Sequence, residues 1–327
     1  MLMVIKSTLF SRLALVIGLV LLPASSLAVA AAPAATQLAP GQGLQISPPL
    51  ISVAADPGQT VILAIKIRNI SGGTLVIHGT VDDFGAKGES GEPQILLDET
   101  ASTRYSLKYW IATVPSVTLK SQELETLSVP VNVPKNAEPG GHYGVVRLTG
   151  TAPSLEGTGV ALSASIGTLV LFTVNGDITD HLSAVDITAS QKGATHSFFE
   201  QGPLTITERI KNDGNVHERP KGNVVITNLF GRQTASLAVD STGGNILPNS
   251  IRKFSQDLGK KNLFGRYTVK GSLAYGNGKT LVLPVTSFWV IPYKLIIATI
   301  LIITALFFLL RFGLRRYNAY IIKLARK

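Results

Sequence analysis

Apolar side chains recur at every second position along most of this chain. Val61, Leu63, Ile65 and Ile67 alternate with Ile62, Ala64, Lys66 and Arg68, the signature of a strand with one face against a core. Leu75, Ile77 and Val81 repeat the pattern after Ser71-Gly72-Gly73, and Leu127, Val129, Val131 and Val133 repeat it again. His142–Leu148 places Val146 and Leu148 on one face and Tyr143 and Val145 on the other. Ile166–Val174 predicts a long, more fully buried strand ending at Asn175-Gly176. Pro57-Gly58, Gly88–Pro93 and Pro139-Gly140-Gly141 supply the turns between strands. The polar stretch from Asp82 to Ser106 predicts a loop or irregular insertion.

A second unit follows. Leu204, Ile206 and Ile210 share a face that Glu208 interrupts, and Asn223–Asn228, Thr234–Val239, Tyr267–Tyr275 and Thr280–Val285 predict further strands. Gly276-Asn277-Gly278 is a hairpin signal. The two units echo each other. Ile67-Arg68-Asn69 matches Ile210-Lys211-Asn212 before a Gly-containing turn, and Gly141-His142-Tyr143 matches Gly265-Arg266-Tyr267 at the opening of a late strand. Short alternating strands separated by turns predict an all-β fold of two tandem Ig-like antiparallel β-sandwiches.

Both ends break the pattern. Leu295 to Leu310 is uncharged and almost wholly apolar. Extended by its flanks, it reaches the roughly 20 residues that a membrane helix needs. Trp289, Tyr293 and Lys294 stand at one interface of that C-terminal transmembrane α-helix, and Arg311, Arg315 and Arg316 at the other. At the N-terminus Lys6 and Arg12, apolar Leu13–Leu22 and Ala28-Val29-Ala30 read as a signal peptide with its cleavage site; left uncleaved, the same segment is a signal anchor. The parts are then 1–30 signal peptide, 31–43 flexible spacer, 44–176 first sandwich, 177–287 second sandwich, 288–314 membrane helix and 315–327 basic cytoplasmic tail.

The net charge is +10. Nine of the Lys and Arg lie in the signal segment, beside the span or in the tail, and removing them leaves +1 for the exterior. The basicity therefore belongs to topology and does not point to nucleic acid. Residues 180–287 keep a mild excess, 13 Lys and Arg against 8 Asp and Glu. Without cysteine, thiol catalysis and zinc-thiolate sites are absent.

No catalytic constellation stands out, so the chain reads as a non-enzyme without cofactor or metal. The histidines His78, His142, His181, His196 and His217 are scattered, and Gly-x-Ser-x-Gly is missing. Asp82, Asp83, Glu89 and Glu92 could offer oxygens to calcium, but their spacing fits no EF-hand and a solvated acidic loop is the simpler reading. Trp110 suits a sandwich core plug or a stacking platform; Tyr105 and Tyr109 are the candidates for an exposed ligand contact. Asn69-Ile70-Ser71 is both a sequon and a turn.

Ile46-Ser47-Pro48-Pro49, Pro57-Gly58-Gln59-Thr60 and Ile67-Arg68-Asn69-Ile70-Ser71 open a stretch that resembles the WxL-protein-interacting family of bacterial surface proteins. Trp110-Ile111, Val133-Pro134-Lys135-Asn136-Ala137-Glu138-Pro139-Gly140 and Tyr143-Gly144-Val145-Val146 continue the likeness, which spans roughly 44–176. The resemblance implies an N-terminal sandwich that binds peptidoglycan or another envelope glycan, a second sandwich that contacts surface proteins of the WxL-domain type, and a membrane anchor. The expected protein is a single-pass type I surface binder in the bilayer, with the bulk of the chain extracellular. The alternative is an accessory subunit of an envelope secretion or pilus-type assembly. The positive flank puts the C-terminus in the cytoplasm. Protease added to intact cells is expected to digest the sandwiches and to spare an epitope placed after Lys327; the reverse pattern would invert the topology.

Overall fold

The computed structural model describes residues 43–97, 103–152, 163–240 and 243–325. The signal peptide, the spacer up to residue 42 and the last two residues of the tail lie outside the described residues.

The first sandwich is built from β1 (Leu44–Ser47), β2 (Leu50–Ala55), β3 (Thr60–Asn69), β4 (Leu75–Ala86), β5 (Pro93–Leu96), β6 (Val117–Leu119), β7 (Leu124–Asn132), β8 (Gly140–Thr151) and β9 (Ala164–Val174). One sheet has the order β1-β3-β7; the other is β2-β9-β8-β4-β5, with β6 also on β4. Pro48-Pro49 lets the chain change sheets between β1 and β2, because proline cannot donate to a ladder. Having crossed, β2 pairs with β9 in parallel, Leu50 opposite Leu169. Alternation sets the core: Leu63, Ile65 and Ile67 of β3 face Val146, Leu148, Val170 and Phe172 of the other sheet.

The second sandwich comprises β10 (Leu182–Gln191), β11 (Ala194–Thr195), β12 (Phe198–Phe199), β13 (Thr205–Asn212), β14 (Lys221–Asn228), β15 (Gln233–Val239), β16 (Ile251–Asp257), β17 (Gly265–Tyr275), β18 (Lys279–Val282) and β19 (Thr286–Val290). Its sheets are β11-β10-β13-β16 and β12-β19-β17-β14-β15, with β18 on β17. The short β12–β19 pair is again parallel. The helix α1 (Tyr293–Ala325) follows.

The sequence echo is structural. Asn69 closes β3 with its amide nitrogen donating to the carbonyls of Gly73 (2.7 Å) and Leu119 (3.0 Å), while its Oδ1 accepts from the Ser71 amide (2.9 Å). Asn212 closes β13 in the same way: it donates to Val216 (2.7 Å) and Ile246 (2.8 Å) and accepts from the Gly214 amide (2.8 Å). Both side chains are fully buried. Asn69 is thus a corner residue, and its burial leaves no room for a glycan.

Three expectations change. The segment after Asp82 is not a loop throughout, since β4 runs on to Ala86 and turns back as β5. The second sandwich does not end at 287: Phe288 and Val290 are buried in its core, and β19 pairs with β17. Their apolar character, read from sequence as membrane, belongs to a closing strand. Helix α1 also continues through the expected tail to Ala325, while its candidate span covers Tyr293–Ala319.

Replacing Asn69 or Asn212 with Ala strands buried carbonyls and an amide, so each change is expected to cost about 2–4 kcal/mol. Urea unfolding followed by tryptophan fluorescence measures it. A loss well under 1 kcal/mol in both variants would remove the corner from the account.

Candidate binding cleft between the sandwiches

Strand β8 carries apolar side chains on both faces. Val146 and Leu148 enter the first core. Tyr143 and Val145 point the other way and form a small cluster with Phe84 and Leu171, against which Tyr105, Leu169 and Leu247 pack. Leu247 comes from the second sandwich, so the cluster seats one module on the other. Tyr143 is met edge-on by His217 (5.8 Å between centroids) and Phe84 (6.0 Å). Burial pushes its hydroxyl well above the ordinary tyrosine range.

Backbone bonds reinforce the seat. The Gly141 amide donates to the Asn215 carbonyl (2.8 Å), and the Lys253 amide donates to the Glu89 carbonyl (2.8 Å). Gly140 sits at φ 124°. A Cβ there would fall 2.6 Å from the Asn215 carbonyl oxygen, so the approach requires glycine. Arg209 of β13 reaches across to Glu89 (Nε to Oε2, 2.8 Å) and also binds Asp186 (2.9 Å). Its guanidinium holds the Glu89 carboxyl below the usual range.

These contacts account for the acidic residues that suggested calcium. Asp83 is buried and accepts from the Ser106 hydroxyl and the amides of Leu107 and Lys108. Asp82 binds Arg147 (2.9 Å), Glu89 binds Arg209, and Glu92 binds Lys87 (3.4 Å). Among the described residues no group of three or more His, Cys, Asp or Glu could hold a metal.

The tyrosine pair divides. The Tyr105 hydroxyl accepts from Asn249 Nδ2 (2.8 Å), and its ring lies 6.2 Å from that of Tyr143. It stitches the modules together. Tyr109 stays at the surface with Lys108 Nζ 5.0 Å from its ring centroid. Trp110 is half-buried on the first core, 6.3 Å from Phe172 and 4.2 Å from the His142 ring. Trp289, Tyr293 and Lys294 lie at the β19–α1 junction, and Arg311, Arg315 and Arg316 lie further along α1, all exposed.

Beside the seat opens a cleft of about 540 Å³. Leu50, Leu171 and Tyr275 give it apolar surface; Arg219 and Lys221 are exposed cations on its second-sandwich wall. A narrower space of about 210 Å³ continues past Leu50 and Leu171 toward Arg252. Glu218 is buried at the wall, accepting from the Gly276 amide (2.9 Å). Burial and the neighbouring Asp180 carboxyl raise its pKa well above the ordinary value. His217 is held neutral: burial lowers its pKa to about 4. Sequence reasoning passed over Glu218-Arg219-Pro220-Lys221. Its signal was charge density around a proline just after a turn, but nothing local says that such a stretch borders a cleft.

One buried acid lies away from the cleft. Glu208 shares the core face of β13 with Ile206 and Ile210, between Ile187 and Phe254 in register, and is fully buried. Neither of its carboxyl oxygens is hydrogen-bonded, and Oε1 of nearby Gln256 is also unsatisfied. A protonated Glu208 can donate toward that oxygen. Burial raises its pKa to about 7.

No protein-family model matches the sequence, and no curated protein matches it. Among solved structures the chain is similar to fimbrial chaperones. The class 5 fimbriae chaperone CfaA shares 13% identity over 74% of this chain and 99% of that chain, with a TM-score of 0.39. The E. coli chaperone DraB shares 13% identity over 76% and 97%, with a TM-score of 0.34. The Salmonella enterica SafA pilin–SafB chaperone complex gives 9% identity over 76% and 97%, with a TM-score of 0.37. The architecture above follows from this chain's own strand pairing and owes nothing to these likenesses.

Glu208 makes stability depend on pH. Between about pH 4.5 and pH 7 the unfolded chain has lost this proton while the folded chain keeps it. The contribution of Glu208 to stability therefore falls as pH rises through that window and levels off above it. The loss is on the order of 3 kcal/mol. Glu208→Gln is expected to make the decline shallower, leaving the share that the raised pKa of Glu218 contributes over the same window, and to be more stable than the parent at pH 8; unfolding midpoints that track the parent at every pH would refute the assignment.

Proposed function

We propose that this protein is a membrane-tethered, non-catalytic binding protein of the cell envelope, and that the cleft between its sandwiches takes an extended anionic chain. The observation that carries the reading is the cleft itself. It has ligand-site volume, an apolar floor at Leu50 and Leu171, and cations at Arg219 and Lys221. Its walls come from two modules fixed by the Tyr143 cluster and the Arg209–Glu89 pair. A preformed cleft binds without first ordering its walls, which preserves affinity.

Peptidoglycan has the matching chemistry, since its peptide stems carry carboxylates on an extended polymer. The resemblance of residues 44–176 to the WxL-protein-interacting family supports the same choice. A strand or tail of a surface protein is the competing ligand of similar shape. The helix α1, apolar and fully exposed over its candidate span, suits a bilayer anchor. Tethering raises effective concentration at the wall, so a weak contact suffices.

The full chain in detergent micelles is expected to be retained by purified cell-wall sacculi. Reversing the cleft cations (Arg219→Glu with Lys221→Glu) is expected to weaken retention about ten-fold, or ~1.4 kcal/mol. Reversing the exposed Lys270 on the outer strand face should leave it unchanged. Equal retention of both variants would take the cleft out of the reading, and no retention of the parent would end the wall-binding proposal.

A further inference from the structure

The second sandwich exposes an apolar collar at one end. Phe230 is 89% exposed, Phe264 70% and Leu229 61%. Phe198 and Trp289 add 49% and 42%. These residues are far apart in sequence, but strand pairing brings them to one edge. Asn228 at the end of β14 lies opposite Tyr267 near the start of β17, so the Leu229-Phe230 turn and Phe264 share an end. Gly265 pairs with Val290, and Phe198 pairs with Trp289, so the last turn of β19 and the short strand β12 are there too.

That end is where α1 begins. Only Ile291 and Pro292 separate β19 from the helix. Three residue steps span at most about 11 Å, so the strand end cannot stand far from the first turn of the span. The junction is also tied down. The Ile291 amide donates to Phe199 (2.9 Å), and Lys294 Nζ binds Glu200 Oε2 (2.6 Å). Neighbouring strands are about 4.8 Å apart, and β14 is the second strand over from β19. Phe230 and Phe264 therefore lie within roughly 10 Å, laterally, of the strand that enters the membrane helix.

Charge agrees. Arg232, Lys261 and Arg266 are exposed at the same end, beside Lys192 and Lys260. The acids facing them are Glu200, already bound to Lys294, and Asp257, which accepts from Thr205. Aromatic rings inside a cationic rim suit the headgroup region of an anionic bilayer.

We propose that the second sandwich docks its lower end on the bilayer, burying Phe230, Leu229 and Phe264 in the headgroup layer around the point where α1 enters. The docking rests on the reading of α1 as a membrane anchor. It adds to that reading that the sandwich is seated on the membrane and is not swinging on a stalk.

The absence of cysteine makes the test direct. Single cysteines at Phe230→Cys, Phe264→Cys, Ile302→Cys in mid-helix and Asn277→Cys at the opposite end each carry an environment-sensitive fluorophore. The full chain is reconstituted in phosphatidylglycerol–phosphatidylethanolamine vesicles, with nitroxide lipids as quenchers. Circular dichroism matching the parent checks that each labelled protein is folded. Docking gives strong lipid quenching at 302, 230 and 264, several-fold above that at 277. Quenching at 302 with 230 and 264 no different from 277 overturns the docking and leaves the anchor standing. Labels at 230 and 264 shielded from aqueous iodide but untouched by lipid nitroxides would mean a protein covers the collar, which also overturns it. No quenching at 302 removes the anchor, and the docking with it.

Discussion

Strand β8 is buried on both faces from Gly140 to Val146, and the arrangement of the rest depends on that. In an ordinary half-solvated sheet one set of alternate side chains faces a core and the other faces water. Here the second set, Tyr143 and Val145, also enters an apolar cluster, where Leu247 of the second sandwich joins it. A central strand with two dry faces has no freedom to shift register, because a one-residue slip would exchange the two sets of side chains. The first module therefore presents a fixed surface to the second. The Arg209–Glu89 pair and the glycine-dependent approach of Gly140 to Asn215 hold that surface in place.

The second sandwich has unlike ends. Its strand β17 runs from the collar at Phe264 to the cleft at Tyr275 and Gly276. At about 3.3 Å per residue this strand is roughly 33 Å long. A ligand in the cleft would thus be held one sandwich-length from the collar, at a height set by hydrogen-bonded strands. Because β19 belongs to the sandwich and runs almost directly into α1, that distance is also fixed relative to the start of the helix, where a flexible linker would leave it undefined.

Charged groups serve the structure in much of the two sandwiches. The carboxylates of Asp82, Asp83, Glu89 and Asp186 are each committed to a named partner, while the second module exposes cations at its two ends. Glu208 is the exception. It is a carboxyl in a dry core without a charged partner, a local cost that the surrounding cluster of Ile187, Ile206, Phe254 and their neighbours sustains.

Much of the architecture was legible in the chain before folding. Period-two alternation marked β3, β7 and β8, and the paired Ile-x-Asn corners marked two modules of one kind. The helix Tyr293–Ala325 was announced by sixteen consecutive uncharged residues. These are local signals, because alternation and turn chemistry act between residues a few positions apart. Other features were settled only by tertiary structure. Phe288 and Val290 carry the same apolar signature whether they sit in lipid or in a core, and pairing with β17 decided for the core. Tyr105 looked like an exposed ring until Asn249 met its hydroxyl from the second module, 144 residues away. The cleft and the collar gather residues from distant strands. Which strand ends coincide is a property of sheet order and register, set by the burial of the whole chain, and no local window of sequence contains it.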